Sequence, residues 1–177
     1  MIRRTAMRTL LAVTVVTSLA ACGGGEEPAP AAATSAGVPA TTSAGAPTEV
    51  SADLTEAPAV PGSDAPPPTE LVTSDVVVGD GAEAVEGSTV ALKYVGAFYE
   101  TGEEFDSSWS RGADETLEVT LGEGRVIPGF EQAIYGMQVG GRRVVTIPSD
   151  LGYGPQGTGP IPGDATLVFV LDLVSVG

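Results

Sequence analysis

The chain has 177 residues, a formal net charge of −15, no histidine and a single cysteine, a length that accommodates one folded domain or two. Its acidity excludes the basic footprint that neutralises phosphates in nucleic-acid binders. The missing histidine removes Ser-His and Cys-His catalysis and most zinc sites, and Cys22 alone cannot form an intrachain disulfide.

Residues 1–21 read as a secretory leader. Arg3, Arg4 and Arg8 precede an apolar run over residues 10–19 that is too short to span a bilayer as a permanent helix. The run ends in Leu19, Ala20, Ala21 and Cys22, which resembles a bacterial lipobox. That makes Cys22 a lipid acceptor and the first residue of the mature chain; an ordinary signal peptide with an incidental cysteine is the alternative. One acyl chain anchors only marginally, whereas two or three hold a protein stably.

Residues 22–69 are rich in Ala, Pro, Thr, Ser, Gly and Glu, and carry nine of the fourteen prolines and no aromatic residue. A segment so poor in large apolar side chains cannot offset its ordering entropy, which predicts a disordered tether with polyproline II bias. The Pro66, Pro67, Pro68 run is either part of a passive spacer or a docking motif.

From Glu70 onward the composition becomes that of a folded domain, spanning residues 70–177. Val76 to Val78 predict a short strand. Val90, Leu92, Tyr94, Gly96 and Phe98 alternate with Ala91, Lys93, Val95, Ala97 and Tyr99, the pattern of a long strand. Thr101 and Gly102 supply a turn, and residues 117–121, 142–147 and 165–176 complete five strands. Between them Phe130, Ala133, Ile134 and Met137 fall at i, i+3, i+4 and i+7, one face of a short helix, with Pro128 suited to its first turn and Gly136 or Gly140 to its exit. One helix covers a sheet only if the sheet curls around it. The expected fold is therefore α+β: an antiparallel, five-stranded, twisted half-barrel sheet wrapped around one short helix, preceded by a disordered N-terminal tether. Residues 149–164 form a long loop rich in Gly and Pro. Its bulky residues, Tyr153 and Ile161, favour function over mere linkage.

Six runs now stand in order: residues 94–96 (YVG), 105–108 (FDSS), 124–130 (GRVIPGF), 136–142 (GMQVGGR), 147–154 (IPSDLGYG) and 161–169 (IPGDATLVF). Together they resemble the FKBP family of peptidyl-prolyl cis-trans isomerases across residues 70–177. The resemblance implies an apolar bowl for the substrate proline. Tyr94, Phe105, Val126, Ile127, Phe130, Tyr153 and Phe169 match its lining, with Leu117 and Ile161 as further substrate-binding positions. Asp106, Tyr153, Tyr94 and Ile127 would be the catalytic set. The Ile127 N–H would bind a substrate carbonyl, the Tyr153 hydroxyl would donate, and Asp106, held by Arg111 or Tyr94, would shape the field near the rotating carbonyl. For Asp106 the bland alternative is a turn-capping aspartate.

The chain departs from the family pattern at Phe130, where a larger indole is common. The 109–116 segment is longer than usual, the 154–162 loop is shorter, and no inserted chaperone flap is present. No metal or cofactor is implied. The partners implied are proline-containing unfolded or exported polypeptides, the membrane through lipid on Cys22, and a macrolide inhibitor. Nucleic acid is not among them, and a monomer is expected. The resulting expectation is an isomerase on the outer face of the bacterial cytoplasmic membrane that assists folding of exported proteins. The alternative is a non-catalytic module that binds proline-containing segments of an envelope partner.

Overall fold

The computed structural model describes residues 50–112 and 114–177. The leader over residues 1–21, Cys22 and the tether up to residue 49 lie outside the described residues. The elements are β1 (Val72–Val77), β2 (Thr89–Phe98), β3 (Glu104–Ser107), β4 (Leu117–Thr120), α1 (Pro128–Ile134), β5 (Arg142–Ile147) and β6 (Leu167–Val176). Short 3-10 turns occupy Trp109–Arg111, Ser149–Leu151 and Gly154–Gln156.

The sheet is antiparallel throughout, in the order β1-β5-β6-β2-β3, with β4 also on β2. The anticipated alternation holds in β2, and β6 alternates as well. Val90, Leu92, Tyr94, Leu167, Phe169, Leu171 and Leu173 face the helix and join Phe130, Ala133, Ile134 and Met137 in one buried core. Pro128 opens α1 at its first turn, where its missing N–H costs nothing. Gly136, with φ of 74°, supplies the left-handed residue that turns the chain out of the helix.

Several element bounds differ from the sequence reading, including a β4 that ends at Thr120 and a β2 that spans Thr89–Phe98. The first strand spans Val72–Val77, and Val78 lies past its end, 76% exposed. The last begins at Leu167 rather than at residue 165. A sixth strand, β3, occurs where the sequence shows only Glu-Phe-Asp-Ser, too short to display alternation, and a register shift between Gly96 and Ala97 breaks its ladder.

Strands β3 and β4 share one edge of β2. β4 pairs with Thr89 to Leu92 and β3 with Val95 to Ala97. At the gap between them Ser108 closes onto Tyr94: the Tyr94 N–H donates to Ser108 Oγ at 2.9 Å and the Ser108 N–H to the Tyr94 carbonyl at 3.0 Å. The sheet edge therefore splits at Tyr94, and a concavity opens there.

Residues 50–63 also differ from the reading as disordered tether: they lie as a strap on the outer face of the sheet. Val50 and Val60 pack against Tyr99, Val144, Val168 and Val170, a second apolar cluster on the side away from the helix. The Ser63 N–H donates to the Tyr99 carbonyl at 2.9 Å. The physical reason is polar as much as apolar. Arg142 is fully buried and paired with Asp172, its Nε and Nη2 donating to the two carboxylate oxygens at 2.5 and 2.6 Å. Its remaining donors go to the strap carbonyls of Ser51 and Asp53 from Nη1, at 2.7 and 2.9 Å, and of Glu56 from Nη2, at 3.2 Å. A guanidinium carries five N–H donors, and every one is satisfied. Leaving any of them buried without an acceptor would be costly. The strap's side chains bury little, and it is held largely through its backbone.

Candidate functional site

The concavity at the split edge is a cavity of about 460 Å³. Its floor and inner wall are aromatic. Phe130 from α1 meets Phe169 from β6 edge-on at 5.1 Å between centroids, and Tyr94 from β2 edge-on at 5.9 Å. Phe105 from β3 meets Phe169 at 5.6 Å, also edge-on. Such T-shaped contacts place ring edges against ring faces and fix the walls. Gly96 makes this possible, because a Cβ there would stand 2.7 Å from the Phe169 ring and 2.8 Å from the Phe105 ring. Leu117, Val126 and Ile127 complete the apolar lining.

One wall is charged. The Tyr94 hydroxyl donates to Asp106 Oδ2 at 2.5 Å, Arg111 Nη1 donates to Asp106 Oδ1 at 2.8 Å, and Arg111 Nη2 donates to the Tyr94 oxygen at 2.8 Å. The three groups close a ring of charge-assisted hydrogen bonds, so both holders anticipated for Asp106 act together. Burial pushes the Tyr94 phenol above its ordinary value, and its bond to Asp106 adds to this. The bond to Tyr94 raises Arg111 further. Asp106 does not cap the adjacent turn. Ser107 does so, accepting from the Trp109 N–H at 3.1 Å through its Oγ and from the Ser110 hydroxyl at 2.8 Å through its carbonyl.

Two donors on residues that line the cavity have no partners among the described residues. The Ile127 carbonyl starts α1 by accepting from the N–H groups of Phe130 and Glu131 at 3.1 and 3.2 Å. The Ile127 N–H lies outside that ladder and donates to no described group. Tyr153 stands on the rim, 37% exposed. Desolvation first, and the Asp106 charge second, push its phenol upward, so it remains a proton donor across the neutral range.

Of the residues singled out from sequence, Asp106, Tyr153, Tyr94, Ile127, Phe105, Val126, Phe130, Leu117 and Phe169 are brought together around one cavity. Ile161 is not among them. It is buried in the core and borders a side cavity of about 270 Å³ that shares Phe105, Asp106 and Tyr153 with the bowl. Cys22 lies outside the described residues. Arg125 and Pro128 also line the bowl and were not anticipated. The signal was available, since both flank the Val126-Ile127 pair in the turn that enters α1.

A curled antiparallel sheet closing on one helix, with an aromatic bowl at its split edge and a lone carboxylate in the wall, defines a non-covalent site for a small apolar ring within a peptide. Residues 81–174 match the family described as "FKBP-type peptidyl-prolyl cis-trans isomerase". A probable FK506-binding protein of Corynebacterium glutamicum is 51% identical over 110 residues, covering 62% of this chain and 90% of that protein. An FK506-binding protein of Streptomyces anulatus is 48% identical over 124 residues, covering 68% of this chain and 98% of the relative. Among solved structures, AtFKBP13 aligns with a TM-score of 0.56 at 36% identity, covering 62% of this chain and 95% of that one. FkpA from Escherichia coli aligns with a TM-score of 0.55 at 36% identity, over 61% of this chain and 48% of that one. The chain belongs to the FKBP-type peptidyl-prolyl cis-trans isomerase family. It is an isomerase of X-Pro peptide bonds.

Proposed function

We propose that the bowl lowers the isomerisation barrier by favouring the twisted amide over the planar one, and that the chain does this for exported polypeptides. The reaction breaks no covalent bond. Its barrier, about 18–20 kcal/mol, is the lost amide resonance, and catalysis must come from interactions stronger in the twisted state. A twisted amide is less polar than a planar one, so transfer into a dry aromatic bowl penalises it less. Phe130, Phe169 and Phe105 hold the proline ring, with Val126 beside them. The Ile127 N–H binds a carbonyl of the substrate backbone, fixing one side of the amide while the other rotates. Tyr153 donates to the peptide at the rim. Asp106, locked by Tyr94 and Arg111, presents a fixed field to the rotating carbonyl without acting as a rigid partner of the planar form.

The observation that carries this reading is the closed Tyr94, Asp106 and Arg111 ring set in the wall of an otherwise apolar cavity. The test is the cis-to-trans rate of a Leu-Pro peptide with the wild-type chain beside Asp106→Leu. Acceleration that falls at least tenfold in the variant supports the mechanism; equal rates refute it. The names of the relatives extend the reading to macrolides such as FK506 in the same bowl, with Phe130 leaving a floor wider than an indole would.

The export role rests on Arg3, Arg4 and Arg8, the apolar run after them, and Cys22. In this reading Cys22 carries lipid and tethers the enzyme to the outer face of the cytoplasmic membrane. Fractionation of cells expressing Cys22→Ala tests it: release of the protein from the membrane fraction is expected, and unchanged retention overturns the anchor.

A further inference from the structure

The bowl is not a closed cup. On the helix side it runs into a cavity of about 370 Å³ lined by Gly124, Val126, Pro128, Glu131, Gln132 and Tyr135. Val126 and Pro128 line both spaces, so the two adjoin. A second adjoining cavity, which shares Phe105, Asp106 and Tyr153 with the bowl, adds only Thr158, Gly159, Pro160 and Ile161, all uncharged. The two adjoining cavities thus differ in chemistry.

The helix-side end carries negative charge. Glu131 is fixed, its Oε1 accepting from the Gly122 N–H at 2.5 Å and from the Tyr135 hydroxyl at 3.3 Å. Tyr135 stays protonated, its phenol raised by desolvation first and then by the charges of Glu131 and Glu86. The neighbouring cations are already matched: Arg125 pairs with Glu123 at 2.7 Å, and Arg143, which donates to the Tyr135 carbonyl, pairs with Asp75 at 2.5 Å. Neither Glu131 nor Glu86 belongs to any ion pair among the described residues.

We propose that this cavity is a second substrate subsite that selects a basic residue on one side of the proline, with Glu131 reading the charge and Val126, Pro128 and Tyr135 packing the aliphatic stem. A lysine fits this combination because its stem is apolar and only its tip is charged. The proposal rests on the isomerase reading of the bowl and names part of the sequence context the enzyme prefers. It also gives the chain's acidity a local use, since a negative groove draws basic segments toward the bowl.

The test is a peptide series around a fixed Leu-Pro pair, with one position at a time, two before and two after the pair, occupied by Ala, Gln or Lys. The readout is kcat/KM with the full chain. Expected is a Lys-over-Gln preference of about two- to fivefold, the strength of an exposed ion pair, at positions on one side of the pair only. It should shrink as salt rises from about 0.01 to 0.5 M. In Glu131→Gln, whose amide oxygen still accepts from the Gly122 N–H, the Lys/Gln ratio should fall to about one. Because the ratio is taken within each variant, a general loss of activity cancels, and the salt series on wild type stands even if the variant folds poorly. Acceleration of the Ala peptide with a Lys/Gln ratio of one at every position overturns the subsite alone. A preference that persists unchanged in Glu131→Gln also overturns it. No acceleration of any peptide overturns the subsite and the isomerase mechanism together.

Discussion

Gly96 is the point at which two walls of the bowl meet, pairing with Asp106 on one side and Phe169 on the other. Replacing it with alanine introduces a methyl 2.7 Å from one ring and 2.8 Å from the other, where ordinary contact begins near 3.4 Å. Each ring must then retreat by about 0.6–0.7 Å, either against packed neighbours, Phe130 at 5.1 Å from Phe169 and Phe98 at 5.2 Å from Phe105, or into the bowl that both rings line. Overpacking of this kind costs about 1–3 kcal/mol, and the reduced freedom of the unfolded chain returns roughly 0.5–1 kcal/mol. A net loss of about 0.5–2 kcal/mol lowers Tm by roughly 2–8 °C in a domain of this size. The displaced rings are the ones that hold the proline, so kcat/KM should fall by about tenfold, a change of about 1.4 kcal/mol in barrier, at temperatures where the variant is fully folded. Calorimetry and a peptide isomerisation assay on the same sample separate the two effects. A Gly96→Ala variant with unchanged or raised Tm and wild-type kcat/KM would show that the walls do not depend on this close approach.

Arg142→Met leaves Asp172 buried without its cation and the strap without its anchor, so urea unfolding should show a loss of about 3–5 kcal/mol. Adding Asp172→Leu should recover part of it. Tyr153→Phe removes a rim hydroxyl with no partner among the described residues, so kcat/KM should fall about fivefold, about 1 kcal/mol in barrier, with Tm unchanged, measured in the same pair of assays. Tyr94 and Tyr153 both titrate above the ordinary phenol value of about 10. Their contribution to stability is full below that pH and is lost as pH rises through the higher folded-state values. Activity should therefore be flat from about pH 6 to 9 and decline only above about 10, as a pH–rate profile would show; a break near neutrality would contradict these assignments.

Much of the site was legible because its residues carry their own signatures. The 3.6-residue spacing of Phe130, Ala133, Ile134 and Met137 marks the helix that floors the bowl. Alternation marks β2 and places Tyr94 on the inner face. Asp106 is placed in the wall by the family resemblance, since its position after an aromatic residue leaves a turn-capping role open. What escaped had no such periodic trace. Strand β3 is four residues long and its ladder is interrupted by a register shift. Ile161, a further substrate-binding position by resemblance, lies beside the bowl rather than in its lining: the Thr158–Ile161 turn is closed by backbone hydrogen bonds of 2.9 and 2.8 Å, and the side chain is buried at a side cavity that shares Phe105, Asp106 and Tyr153. The strap was missed because the sequence offers few apolar residues there, whereas the decisive groups are backbone carbonyls facing an arginine nearly ninety positions away.

That strap also sets how the domain responds to load. Tension applied to the chain ahead of Val50 meets the Arg142 carbonyl bonds and the Val50 contacts before it reaches the sheet. As residues 50–63 peel away they release a length on the order of 50 Å at full extension, while β1 and the bowl stay unstrained. The strap thus works as a sacrificial slack line: a tug from the N-terminal side uncovers the outer face of the sheet first and disturbs the proline site last.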